Sequence, residues 1–194
     1  VLSVFHNEQP PKCNRPPCQV LFVNGCGPQV EALHRYRVIH QREQLATWGI
    51  TTDEVYYDDA LPNDADCADV VVAYRCPITP NLHQLIENAH KQGKKVYFDV
   101  DDLVIDTSYT DELPVVKAMS AQDKEIFDDG ITRNGKTLAM CDGAVVTTQR
   151  LAQEIAKIVP TVLINRNTAS AEMVSLSQAA CQTAERSDDG VLLG

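Results

Sequence analysis

The run Phe98-Asp99-Val100-Asp101-Asp102-Leu103 places three carboxylates within four residues at the end of an apolar segment. If that segment is a strand, Asp99 and Asp101 share one side and Asp102 opens the following loop. Clustered carboxylates can bind a cation, accept hydrogen bonds from sugar hydroxyls, or act as a general base when burial or a like charge raises the pKa. The bland alternative is a capped turn whose other carboxylates sit in water. Bringing this much charge out of an apolar strand is costly, which favours the functional reading. Asp58 and Asp59, at the end of a second strand-like segment, Thr51 to Tyr57, read as solvated loop residues.

A second group is the loop Gly25-Cys26-Gly27-Pro28 and the helical segment after it, which carries His34, Arg35, Tyr36 and Arg37. Glycines let a backbone approach a phosphate closely, and a helix start adds its dipole. Cations near a helix N-terminus oppose that dipole, so Arg35 and Arg37 read either as contacts to an anionic ligand or as part of a solvated helix face. A dinucleotide fingerprint is not met, because its third glycine falls at Val30. Arg75 leaves an apolar run directly into a loop and reads either as a ligand-binding cation or as a surface arginine. Cys76 beside it has no evident histidine partner, which argues against a thiol nucleophile. In Asn165-Arg166-Asn167-Thr168-Ala169-Ser170, capping by Thr168 or Ser170 accounts for the hydroxyls but not for the asparagines.

The elements that must hold these groups follow from periodicity. Apolar, β-branched runs at Gln19 to Val23, Thr51 to Tyr57, Asp69 to Tyr74, Lys95 to Val100, Gly143 to Thr147 and Thr161 to Ile164 predict strands. Between them lie helical patterns: His34 to Trp48, a segment capped by Thr79 and opened by Pro80, Ser120 to about Met140 with breaks near Gly130 and Gly135, one around Leu151 to Val159, and a last one from Ala169 to about Ala184. Steady alternation predicts a doubly wound, mostly parallel, Rossmann-like α/β sheet. Ligands of such sheets bind outside the carboxyl ends of the strands, where Asn24, Asp58, Arg75, Asp101 and Thr148 begin their loops.

The 194 residues suit one well-buried core. A net charge of -10, with 17 basic against 27 acidic side chains, argues against a nucleic-acid partner. No apolar stretch approaches a membrane span, and no signal peptide opens the chain. The seven scattered cysteines, with no Cys-x-x-Cys, read as reduced thiols of a cytoplasmic protein. Residues 1–18, rich in proline, read as a leader, 19–187 as the folded domain, and 188–194 as the start of a further domain. The Val1 start and the closing apolar run suggest a piece of a longer chain.

Taken in order, Leu21-Phe22-Val23 with its glycine loop, Arg35-Tyr36-Arg37-Val38-Ile39-His40-Gln41-Arg42-Glu43-Gln44-Leu45, Tyr97 to Asp106, Val145 to Ala152 and Asn165-Arg166-Asn167 resemble the amino-terminal half of bacterial GT-B glycosyltransferases of the family 4 type. The resemblance implies two Rossmann-like domains facing a cleft, with the acceptor held mainly by the first and the nucleotide-sugar by the second, and members that assemble surface polysaccharides, rhamnose-containing ones among them. It implies no metal and no resident cofactor, a saccharide or lipid-linked acceptor, and an intact enzyme in the cytoplasm or peripheral to the inner face of the membrane. On this basis Asp101 and Asp102 are the expected catalytic residues, and Gly25, Gly27, Arg35, Tyr36, Arg37, Arg75 and Asn165 the expected substrate-binding ones. A chain lacking the nucleotide-sugar domain is not expected to turn over. The acidic run also resembles the Asp-x-Asp-x-Thr motif of haloacid dehalogenases, which would imply a magnesium-dependent phosphatase. Leu103 stands where the threonine belongs, and the run lies on the fourth strand rather than the first. A non-catalytic nucleotide- or sugar-binding module is the third alternative.

Overall fold

The computed structural model describes residues 15–27 and 30–183. Six strands form one all-parallel sheet: β1 (Cys18–Asn24), β2 (Thr52–Tyr56), β3 (Ala68–Tyr74), β4 (Lys95–Val100), β5 (Gly143–Val146) and β6 (Thr161–Ile164), in the order β2-β1-β3-β4-β5-β6. Helices join them: α1 (residues 31–47), α2 (Pro80–Lys91), the short α3 (Pro114–Lys117), α4 (Ala121–Met140), α5 (Gln149–Ile155) and, after β6, α6 (Ala171–Thr183). This is the doubly wound, Rossmann-like arrangement that the alternating pattern predicts. The leader assigned to 1–18 and the further domain assigned to 188–194 fall largely or wholly outside the described residues. Arg15, at the edge of that leader, is held to the body by Asp53 at 3.3 Å and Asp64 at 3.2 Å.

Alternation along the strands divides the core in two. Leu21 and Val23 of β1 and Val71 and Ala73 of β3 pack with Leu82, Leu85, Ile86 and Ala89 of α2 and with Leu138 of α4. On the opposite face Phe22, Val72 and Tyr74 meet Val38 of α1, with Leu33 and Leu45 alongside. Because β3 and β4 are covered on both faces, their sequences are nearly continuous apolar runs rather than alternating ones. The helix pattern of α2 begins as its residues predict, with the Thr79 hydroxyl accepting from Leu82 N–H at 3.1 Å and Pro80 in the first turn.

Two expectations about helices change. α4 runs unbroken through Gly130 and Gly135. At Gly135 the missing Cβ has a packing reason, since one built there would lie 2.2 Å from the Ile105 carbonyl oxygen. α1 starts at Glu31 and carries a π-helical stretch, Arg35–Ile39, with His40 N–H donating to the Arg35 carbonyl. Arg35 and Arg37 therefore sit past the first turn, and the helix-dipole argument for an anion beside them does not apply. The cysteine expectation also changes. Cys18, Cys26, Cys76, Cys141 and Cys181 are free thiols, but Cys67 is disulfide-bonded. No Cys-x-x-Cys spacing announces that bond.

Candidate functional site

Strand register brings the carboxyl ends level, with Asn24 beside both Tyr56 and Tyr74, Tyr74 beside Asp99, and Val100 beside Val146. Strand order reverses between β1 and β3, so the loops after those two strands diverge and leave a crevice. Gly25 and Arg75 flank it. Gly25 N–H donates to the Tyr74 carbonyl at 2.8 Å, and a Cβ on Gly25 would lie 2.1 Å from the Arg75 carbonyl oxygen. Only glycine permits that approach. Arg75 itself has φ 45°, the one non-glycine residue with positive φ among those described. Holding an arginine there costs about 1–2 kcal/mol. Strain of this kind persists where surrounding contacts fix the side chain.

Those contacts are acidic. Arg75 Nε donates to Asp101 Oδ1 at 2.7 Å, and its Nη2 lies 2.6 Å from the same oxygen and 2.5 Å from Asp102 Oδ2. The Tyr74 hydroxyl adds a contact to Asp101 Oδ1 at 3.3 Å. Burial works against the charge on Arg75, yet the acidic groups around it, Tyr74, Asp101 and Asp102, together hold its pKa above the ordinary value. The two aspartates differ: the Asp101 side chain is 11% exposed and Asp102 66%, so Asp102 is the carboxylate open to a ligand.

Beside them a cavity of about 470 Å³ has polar groups on Asp101, Asp102, Thr148 and Arg150, and apolar walls from Leu103, Tyr109, Leu113 and Phe127. Glu154 braces two of these lining residues, accepting from the Tyr109 hydroxyl at 3.0 Å and pairing with Arg150 at 2.7 Å. A second cavity of about 360 Å³ shares the walls Val104 and Phe127 and is lined by Gly25, Gly27 and Arg75.

Of the residues singled out in the sequence, Asp101 and Asp102 line the first cavity and Gly25, Gly27 and Arg75 the second, and Arg75 joins the two groups across the cleft at the strand ends. Arg37 does not open onto it. Its side chain is 1% exposed and grips Asp99, itself fully buried, through Nε at 2.8 Å and Nη2 at 2.7 Å, while Nη1 donates to the Asn165 carbonyl at 2.7 Å. Gln41 donates to Asp99 as well, at 2.8 Å. Burial raises the Asp99 carboxyl above its ordinary value, against the opposing pull of Arg37 and Gln41. Arg37 and Asn165, both expected to bind substrate, instead form part of a buried tie between α1, β4 and the loop after β6. Tyr36 packs edge-on against His40, ring centroids 5.2 Å apart, and neither Tyr36 nor Arg35 lines either cavity.

Asp99 is also the residue a phosphatase of the Asp-x-Asp type would use as nucleophile, and it is closed off by Arg37. Burial raises the thiol of Cys76 well above its ordinary value and raises that of Cys26, which disfavours the thiolate at both. Tyr109, Phe127 and Asn134 line the cavities without having been singled out in the sequence, whereas Thr148 and Arg150 line the first of them from the Val145 to Ala152 run. Thr148 had a second signal, its place at the end of a strand.

The fold is a doubly wound α/β domain with a cleft at the carboxyl ends of its strands. Compared with protein-family models, curated proteins and solved structures, the chain matches none. No described helix is long and apolar enough to cross a membrane.

Proposed function

We propose that this domain is the acceptor-binding side of a glycosyltransferase that moves a sugar from a nucleotide-sugar donor to a hydroxyl of a saccharide or lipid-linked acceptor. The observation that carries the reading is the exposed Asp102 carboxylate, fixed by Arg75 at the mouth of a cavity with mixed walls. Sugars present hydroxyls and apolar C–H faces together. Carboxylates and Thr148 suit the first, and Tyr109 and Phe127 suit the second.

Transfer develops negative charge on the departing diphosphate and positive charge at the sugar carbon. In this reading Asp102 orients the acceptor hydroxyl or takes its proton, and Asp101 holds Arg75 in its strained conformation. Arg75, paired with both Asp101 and Asp102, fixes these carboxylates rather than facing an anion. Arg37 is a positioning residue acting through Asp99.

Saturation-transfer NMR on this chain with methyl glycosides of glucose, galactose, mannose and rhamnose, and separately with UDP-, GDP- and dTDP-sugars, tests the reading. Saccharide signals with little nucleotide contact support it. Nucleotide contact without saccharide contact would replace it with a nucleotide-binding module.

A further inference from the structure

The sheet is covered unevenly. Asp99 meets Arg37 of α1, so Tyr97, two residues before it, and Val145 and Leu163, aligned with it across β5 and β6, point to the α1 side. On the opposite face their neighbours Phe98, Ala144 and Val146 lie in the main core with Leu138 and Ile155. On the α1 side the apolar cluster reaches only β1 and β3, and Tyr97, Val145 and Leu163 belong to neither cluster. Tyr97 and Val145 are half-buried, and Leu163 is 51% exposed. Parallel sheets occur with both faces covered, so among the described residues this strip of β4, β5 and β6 lacks its helix.

α6 has the converse lack. Its loop is anchored on the α1 side: Arg37 Nη1 donates to the Asn165 carbonyl, His40 Nδ1 lies 3.0 Å from the Thr168 carbonyl, and the Ser170 hydroxyl accepts from Met173 N–H at 3.1 Å. Past that anchor little of the helix is covered. Met173 is half-buried, and the side chains from Val174 to Gln182 are all exposed, Leu176 at 62%. Yet Met173, Leu176 and Ala180 recur at the spacing of one helix face, and Glu172 is the only charged residue among its 13. A helix this short draws most of its stability from packing an apolar face. Among the described residues that face stays exposed.

We infer that two copies of this chain associate about a two-fold axis, each laying α6 over the uncovered β4–β6 strip of the other. A two-fold contact must be self-complementary, and each copy carries both the helix and the strip that it fits. Charge favours the same contact. The chain carries -10 overall, so two copies repel. Residues 161–183 hold only Arg166 and Glu172, and Lys95, at the edge of the strip, is already paired with Asp142 at 2.7 Å. The copies therefore meet where their charge is balanced. The inference stands apart from the acceptor reading, because the strip lies on a sheet face and not at the strand-end cleft.

Sedimentation equilibrium of the wild-type chain over a wide concentration range reads the association, with reductant present because Cys181 on α6 is an exposed thiol. A monomer–dimer equilibrium is expected. Leu163→Lys puts a charge on the strip and Leu176→Glu puts one on the helix. Both positions are exposed in the single chain, so each variant keeps the wild-type circular dichroism while its self-association weakens about tenfold or more. Mixing the two variants restores association, since one of the two helix-on-strip contacts is then unaltered and the other sets opposite charges together. A wild-type chain that is monomeric at every concentration overturns the inference. So does a dimer that Leu176→Glu leaves intact, which would point to pairing of the β6 edges alone, or a mixture that recovers no dimer, which would exclude the reciprocal exchange.

Discussion

Arg37 and Asp99, 62 residues apart in the chain, meet as a two-pronged ion pair with the arginine 1% exposed and the aspartate not at all. Desolvating both charges is costly, and the fit of two parallel hydrogen bonds is what offsets it. Arg37→Met leaves Asp99 buried and unpaired and is expected to lower unfolding free energy by about 3–5 kcal/mol. Arg37→Met with Asp99→Leu should recover much of that loss, read from urea unfolding midpoints. A double variant as unstable as the single one would mean that the remaining bonds of Arg37, to the loop after β6, carry the effect.

The glycines of α4 and of the β1 loop divide by what surrounds them. Gly25→Ala and Gly135→Ala each drive a Cβ into a backbone carbonyl, at 2.1 and 2.2 Å, and should destabilise by about 1–3 kcal/mol or more. Gly130→Ala meets open space and should stabilise by about 0.5–1 kcal/mol through helix propensity. Thermal melts of the three variants check the opposite signs.

Arg75 combines positive φ with two acidic partners. Both Arg75→Ala and Arg75→Gly lose the pairing, but glycine also relieves the backbone. Arg75→Gly is therefore expected to be about 1 kcal/mol more stable than Arg75→Ala in chemical denaturation, with saccharide binding weakened in both.

Glu154 gives the cleft a pH dependence. Hydrogen bonds from Lys157 and Tyr109 lower its carboxyl below the ordinary glutamate value. A carboxylate with a lowered folded-state pKa contributes stability above its unfolded value, about 4.3, and that contribution disappears as pH falls through the folded value. The difference in melting temperature between wild type and Glu154→Gln should be full near neutral pH and shrink below about pH 4. A difference that persists unchanged at low pH would show that the carboxylate charge is not what braces Tyr109 and Arg150.

The sheet was readable from the sequence because most strands are short apolar runs closed by a polar residue, β2 with its Asp53 and Glu54 being the exception, and these closing residues face the same end. Asp101, Asp102 and Arg75 were readable for the same reason: polarity at the end of a buried run stands out. What the sequence hid was pairing across distance. Arg35 and Arg37 look alike in the chain, yet only Arg37 is absorbed by Asp99, and nothing in local spacing marks that. Asn134 was invisible for a different reason, since a polar residue inside a helix pattern looks like an ordinary solvent-facing position, and Gly130 was read as a helix break rather than as part of a cavity wall. Their place on the cleft emerges only once α4 packs beside Val104 and the glycine loop.

The most direct test of the acceptor reading is where a saccharide binds. Titrating the methyl glycosides onto isotopically labelled protein and following backbone amide shifts should move Arg75, Asp101 to Val104 and Thr148 to Leu151, with the shifts lost in Asp102→Asn. Shifts confined to surfaces away from these strand ends, or an Asp102→Asn variant that binds as the wild type does, would contradict the account.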